Sequence, residues 1–198
     1  DWRRRIGEWI GKGRGENLMN VDIFFDFAPV LGDAALAAVL RRDAIAAAGR
    51  EIVFLGNLVQ HVGAFRPPLA WDWFGLASGF QLQDGRVDLK LGGLLPLVSA
   101  ARVLALRHSI EATSTFERFR KLRERKLISA GDAKAVAEAL EAFMAAILRQ
   151  QLADSAAGLE PSSKIDPSIL DRRERRALRA HLTMVDIIQP MVEGAVAR

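Results

Sequence analysis

Residues 84–110 organise this chain: Asp84-Gly85-Arg86-Val87-Asp88-Leu89-Lys90-Leu91-Gly92-Gly93-Leu94-Leu95-Pro96, then an almost wholly apolar run to Ile110. Asp84-Gly85 reads as a two-residue hairpin turn, because both residues tolerate the positive φ of a type I′ turn. A ribbon built on that turn sets Leu82 opposite Val87 and Phe80 opposite Leu89, so one face is apolar. Asp88 and Lys90 then share the other face. Pro96 stands where a helix can start without losing a hydrogen bond. From Leu94 to about Ile110 only Ser99 and Arg102 are polar mid-helix. A helix greasy on nearly every side belongs in the centre of a core. It is too short and too interrupted to span a membrane. Arg102 inside it calls for a carboxylate, since an unpaired buried charge is costly.

Asp26, between Phe25 and Phe27, is one candidate for that carboxylate. The other reading has Asp26 capping the turn that runs from Pro29 to Gly32-Asp33. Upstream, Trp2 to Lys12 reads as an amphipathic helix with Trp2, Ile6, Trp9 and Ile10 on one side. Gly11-Lys12-Gly13-Arg14-Gly15 reads as a connector, because it lacks the Gly-Lys-Ser/Thr of a phosphate loop. Asp33 caps a helix from Ala34 to about Ala48, and a second helix covers about Arg50 to Val62. Residues 65–79, with Pro67-Pro68, Trp71, Trp73 and Phe74, read as an irregular loop docked on the helices.

Downstream, Ser114-Thr115-Phe116-Glu117 has the spacing of a capping box. It opens a helix with Phe116, Phe119 and Leu122 inward and Arg118, Arg120, Lys121, Arg123, Arg125 and Lys126 mostly outward. Ser129 to Asp132 caps a helix striped by Val136, Leu140, Phe143, Ile147 and Leu148. Residues 156–168 form a loop. Asp171 caps the last helix, which buries Leu178, Leu182, Val185, Ile188 and Val192 and should kink at Pro190. The expected fold is therefore all-α and a single domain, 1–198. It has extra N-terminal helices in 1–80, one small β-hairpin at 80–90 and an antiparallel four-helix bundle in 94–198.

The 198 residues include 50% hydrophobic types, enough for a substantial core. With no cysteine there are no disulfides, no thiol catalysis and no thiolate metal sites, which suits a cytoplasmic protein. The opening residues lack the pattern of a secretory leader, and a start at Asp1-Trp2 without Met reads as a cut from a longer protein. His61, His108 and His181 lie in separate helices with no ligand at metal spacing, so no metal site is expected. No nucleophile elbow, Walker loop or dinucleotide fingerprint occurs. The net charge of +4 permits a phosphate-bearing partner without demanding one. Two basic stretches, Arg118 to Lys126 and Arg172 to Arg179, carry no stacking aromatics. They read as solvated helix faces, and nucleic acid is disfavoured as a partner.

Several motifs resemble one bacterial family. They are Val21-Asp22-Ile23-Phe24-Phe25-Asp26-Phe27 with Pro29-Val30-Leu31-Gly32-Asp33, then Asp88-Leu89-Lys90 with Gly92-Gly93-Leu94-Leu95-Pro96. Ala101-Arg102-Val103-Leu104-Ala105-Leu106 and Thr113-Ser114-Thr115-Phe116-Glu117-Arg118 complete the set. The chain resembles the substrate-binding domain at the C-terminus of bacterial nucleotidyltransferases, signal-transduction proteins that often also carry cyclic-nucleotide-binding and CBS domains.

The resemblance implies a helical module, non-catalytic by itself, packing beside a catalytic nucleotidyltransferase domain of the same polypeptide. It implies a protein or small-molecule acceptor, and no cofactor in this fragment. Mg²⁺ and a nucleoside triphosphate would belong to the core, held by an Asp-x-Asp pair and a Gly-Ser turn. Neither motif occurs in this chain. Ala28 stands where the family is expected to carry arginine. The residues matching the family's motifs, Asp26, Asp88, Lys90, Arg102 and Arg118, are the candidates for substrate binding. Lys90 beside the Gly-Gly helix start could hold a phosphate or acidic group. Alternatively, Asp88 and Lys90 only brace the hairpin. A different function is a regulatory or scaffolding bundle that binds a neighbouring domain and no substrate.

Overall fold

The computed structural model describes residues 2–12, 18 and 23–197. The connector at 13–15 and the apolar stretch around Asn20 and Asp22 lie outside the described residues. The chain is mainly helical. Its elements are α1 (Trp2–Gly11), α2 (Ala34–Arg50), α3 (Ile52–Ala64), β1 (Leu69–Trp71), β2 (Ala77–Phe80), β3 (Val87–Asp88), a π-helical turn (Lys90–Leu94), α4 (Leu95–Arg107), α5 (Thr115–Glu124), α6 (Ala130–Ala156), β4 (Lys164–Ile165), a 3₁₀ turn (Pro167–Ile169) and α7 (Arg172–Val196).

The chain divides into two compact units. The first holds residues 1–64, 99–128 and 189–198, and the second holds residues 65–98 and 129–188. Of the four downstream helices, α5 falls in the first unit and α6 in the second, while α4 and α7 each run from one unit into the other.

In the first unit, α1 buries Ile6 and Ile10 and packs on α2. Arg3 and Asp43 pair across them at 2.9 Å. Asp33 caps α2, accepting from the Ala35 N–H at 2.8 Å. Gly49 lets α2 approach α4 closely, since a Cβ there would meet the Leu106 carbonyl oxygen at 2.5 Å. The apolar run of α4 is buried as its composition requires: Leu97, Ala100, Ala101, Val103, Leu104, Ala105 and Leu106 are each at most 2% exposed.

The capping box expected at Ser114 does not form. The Ser114 side chain makes no cap hydrogen bond. Glu117 is taken instead by Arg120, whose Nε donates to it at 2.8 Å. Phe116, expected inward, is 37% exposed. Arg118, expected outward, is buried.

In the second unit, residues 65–80 are more regular than expected. β1 and β2 pair antiparallel, Leu69 opposite Phe80, and Asp72 closes the turn by accepting from the N–H groups of Phe74 and Leu76. The tip is not docked: Trp73 is 94% and Phe74 82% exposed.

The Asp84-Gly85 turn forms, with φ of 52° and 76°, and Gln83 and Arg86 exchange backbone hydrogen bonds across it. The expected ribbon stops there. β3 pairs with β4, Val87 opposite Ile165, and β2 pairs with β1, which leaves Leu82 exposed. Ile165, Val87 and Leu69 are each fully buried.

Gly92 and Gly93 are packing glycines. A Cβ on Gly93 would meet the Phe143 ring at 3.1 Å, and one on Gly92 would meet Pro68 Cδ at 2.4 Å. α6 is capped by Ser129 and α7 by a reciprocal box, Asp171 accepting from the Glu174 N–H and Glu174 from the Asp171 N–H, both at 2.7 Å. Of the expected α6 stripe, Val136, Leu140, Phe143 and Ile147 are buried and Leu148 is exposed. α7 buries its expected five apolar residues. No described helix is long and apolar enough to cross a membrane.

Candidate functional site

Three of the five candidate residues meet in the first unit. Asp26 lies in a short turn where its N–H donates to Ile23 O at 3.0 Å and the Phe27 N–H to Phe24 O at 3.1 Å. Aromatic neighbours fix that turn. Phe25 is buried against Phe54, Phe24 touches Trp2, Trp9 and Phe27, and Arg41 lies over the Phe27 ring at 4.8 Å. The turn aims the Asp26 carboxylate at two arginines. Arg102 of α4 donates to Oδ2 at 2.6 Å, and Arg118 of α5 donates to Oδ1. Arg118 also donates from Nε to the Ala112 carbonyl at 2.8 Å, holding the loop between α4 and α5. The Arg102 and Arg118 side chains are 7% and 3% exposed, and Asp26 is 29%.

The Asp26–Arg102 pairing is the one the sequence suggested; the alternative, a cap on the following turn, is not what the carboxylate does. Arg118 was misplaced on the solvent face. The signal was present, because four residues separate Arg118 from buried Leu122 and so put both on one helix face.

Asp88 and Lys90 belong to the second unit. Asp88 Oδ1 accepts from the Leu91 N–H at 2.9 Å, so its carboxylate occupies the helix start where an anion was expected. Lys90 is exposed. Ala28, also exposed, follows Phe27 in the first unit.

No local pattern pointed to a second polar cluster, which lies in the second unit. Arg86 clasps buried Asp154 with two hydrogen bonds, 3.0 and 2.9 Å, and also donates to the Lys164 carbonyl at 3.3 Å. Gln150 donates to Asp154 at 2.8 Å and accepts from the Asp166 N–H at 2.8 Å, and the Ser162 N–H donates to Asp154 at 3.0 Å. The Arg86 guanidinium, helped by Gln150 and Ser162, draws the Asp154 carboxyl down to about 2. The same bond raises Arg86 above its ordinary value. Every group is matched, and the cluster ties the 157–166 loop to α6. That is a structural latch.

Each unit also holds a cavity. One, about 350 Å³ in the first unit, borders the ends of α4, α5 and α7. The other, about 210 Å³ in the second unit, lies between α6 and α7 and is lined by alanines with Arg149, Glu174 and His181. Among the described residues no group of three or more His, Asp or Glu could hold a metal ion.

The described residues thus present a helical fold with a half-buried carboxylate gripped by two buried arginines. Residues 52–196 match the family described as "Putative nucleotidyltransferase substrate binding domain", and the chain belongs to that family. The matched span contains Asp88, Lys90, Arg102 and Arg118, and Asp26 lies ahead of it. No curated protein matches the chain. No solved structure matches it either.

Proposed function

We propose that this chain is the acceptor-binding module of a nucleotidyltransferase, non-catalytic by itself and seated beside a catalytic core on the same polypeptide. The observation that carries this reading is the family match over residues 52–196. In the reaction, an acceptor atom forms a bond to the α-phosphorus of a nucleoside triphosphate as the bond to pyrophosphate breaks. Mg²⁺ and the triphosphate belong to the core, where the metal offsets charge on the transferring group. The module's part is to hold the acceptor in line, which converts a bimolecular encounter into a positioned one. Asp26, Arg102 and Arg118 serve it by locking α4 to α5. In this reading the parent is a cytoplasmic signal-transduction protein with cyclic-nucleotide-binding and CBS domains.

A second reading, a regulatory or scaffolding module without a substrate, draws on the β1–β2 hairpin. Trp73, Phe74 and Leu76 expose apolar surface that a neighbouring domain could cover.

The intact polypeptide, incubated with labelled nucleoside triphosphates, Mg²⁺ and cell extract, should label an acceptor. A polypeptide lacking this module should bind nucleotide and leave that acceptor unlabelled. Equal labelling without the module sinks the acceptor-binding reading and leaves the scaffold. Lys90→Ala in the intact protein places Lys90: normal transfer per folded molecule makes it a brace, and lost transfer makes it a contact.

A further inference from the structure

The 350 Å³ cavity of the first unit is where the α4 and α5 ends and the last turns of α7 come together. Leu104, Leu122, Leu127, Ile128, Pro190 and Met191 make its walls apolar. Its charged or titratable side chains are Arg107, His108 and Lys126, and no acidic residue among the described ones lines it. Its size, an apolar lining and a few polar groups are what small-molecule pockets share.

Helix C-termini would normally make such a place repel anions, through their partial negative charge. Here several of the last carbonyls are already matched. Ala105 O accepts from the Ile110 N–H at 2.8 Å and Leu122 O from the Leu127 N–H at 3.0 Å. Arg125 donates to His108 O at 2.6 Å, and Arg107 Nε to Ala195 O at 3.2 Å. A guanidinium has five N–H donors, so Arg107 keeps donors beyond that bond. Among the described residues neither Arg107 nor Lys126 has a carboxylate within ion-pair distance.

Lys126 is also strained. It closes the end of α5 at a φ of 58°, a position glycine fills most cheaply. A side chain there costs about 1 kcal/mol. Holding a lysine at such a site sets a charge at the cavity rim.

We propose that this cavity binds an organic anion with an aliphatic body. Lys126 and Arg107 meet the head, a carboxylate or a phosphate monoester, and the leucine-rich wall takes the chain. Among the described residues no phenylalanine or tryptophan lines the cavity, and the His108 imidazole is the one ring there, so a flat base would find little to stack on. As a statement of what the acceptor is, this rests on the acceptor-binding reading; as a binding site it stands without it.

Calorimetric titration of the 198-residue chain with octyl phosphate and octanoate tests it, with inorganic phosphate and octanol as the separated halves. At least one octyl anion should bind ten times more tightly than either half, and should shift the methyl resonances of Leu127 and Met191. Lys126→Gly should weaken that binding about tenfold while leaving the melting temperature unchanged or higher, because glycine relieves the strained φ. No binding of either anion, halves as good as the whole, or unchanged affinity in Lys126→Gly overturns the proposal. Octyl-anion binding combined with a neutral labelled acceptor keeps the cavity and removes its role in transfer. A labelled acceptor without octyl-anion binding overturns the cavity proposal and leaves the acceptor-binding reading standing.

Discussion

A guanidinium nitrogen of Arg102 lies 2.6 Å from Oδ2 of Asp26, and the two come from chain positions 76 residues apart. The other carboxylate oxygen serves Arg118, so one acid meets two buried bases. Asp26→Ala would remove the carboxylate that both arginines share. It should destabilise the first unit by about 3 kcal/mol, the low end for breaking a buried pair, since Asp26 remains 29% exposed. Arg102→Met should cost less, because methionine fills the space and Asp26 keeps Arg118. Urea unfolding of both variants checks the order; an Asp26→Ala protein as stable as its parent would dismiss the cluster as a brace.

A Cβ on Gly92 would come closer to Pro68 than a Cβ allows, at 2.4 Å, and one on Gly93 would press the Phe143 ring at 3.1 Å. Gly93→Ala should cost about 1–3 kcal/mol by overpacking, and Gly92→Ala more, since the Arg66 carbonyl oxygen at 3.0 Å cannot yield. Gly56 of α3 has open space at its Cβ position, so Gly56→Ala should instead gain about 0.5–1 kcal/mol. Thermal melts of the three variants separate a packing role for the glycine pair from a helix-propensity effect.

Those positions also show what the sequence disclosed. The greasy run of α4 and its buried arginine were legible because burial follows local composition, and Asp26 stood out as a carboxylate among phenylalanines. The partners of β3 were not legible. Val87 pairs with Ile165 across 78 positions, and no local pattern encodes that choice. The sequence left Asp88 open between meeting a ligand and bracing the hairpin; one of its carboxylate oxygens accepts from the Leu91 N–H, a detail that depends on where the π-helical turn begins. The Arg86–Asp154 clasp escaped notice for the same reason, since its members are brought together only by the fold.

Trp73 and Phe74 stand on the β1–β2 turn at 94% and 82% exposure, with nothing of the described chain over them. Trp73→Ser and Phe74→Ser should each shift stability of this chain by no more than about 0.5 kcal/mol. If the hairpin seats a neighbouring domain, the same substitutions in the intact polypeptide should loosen that domain, read as faster protease cleavage between the two. Unchanged cleavage would remove the hairpin from the scaffold reading.

Asp154 ties stability to acid. Its carboxyl is drawn from the ordinary 3.8 down to about 2, chiefly by Arg86. A depressed folded-state value means the folded chain holds its proton less readily than the unfolded chain. The stabilisation is therefore complete above about pH 4 and is lost as the pH falls toward 2. Asp166 and Glu117 are lowered too and act in the same sense. Asp186, raised by burial despite the Arg66 charge, acts in the opposite one. Asp154→Asn should lower the urea midpoint at neutral pH and flatten its fall between pH 4 and pH 2. A variant whose midpoint still drops as steeply as the parent's over that window would place the acid sensitivity elsewhere in the chain.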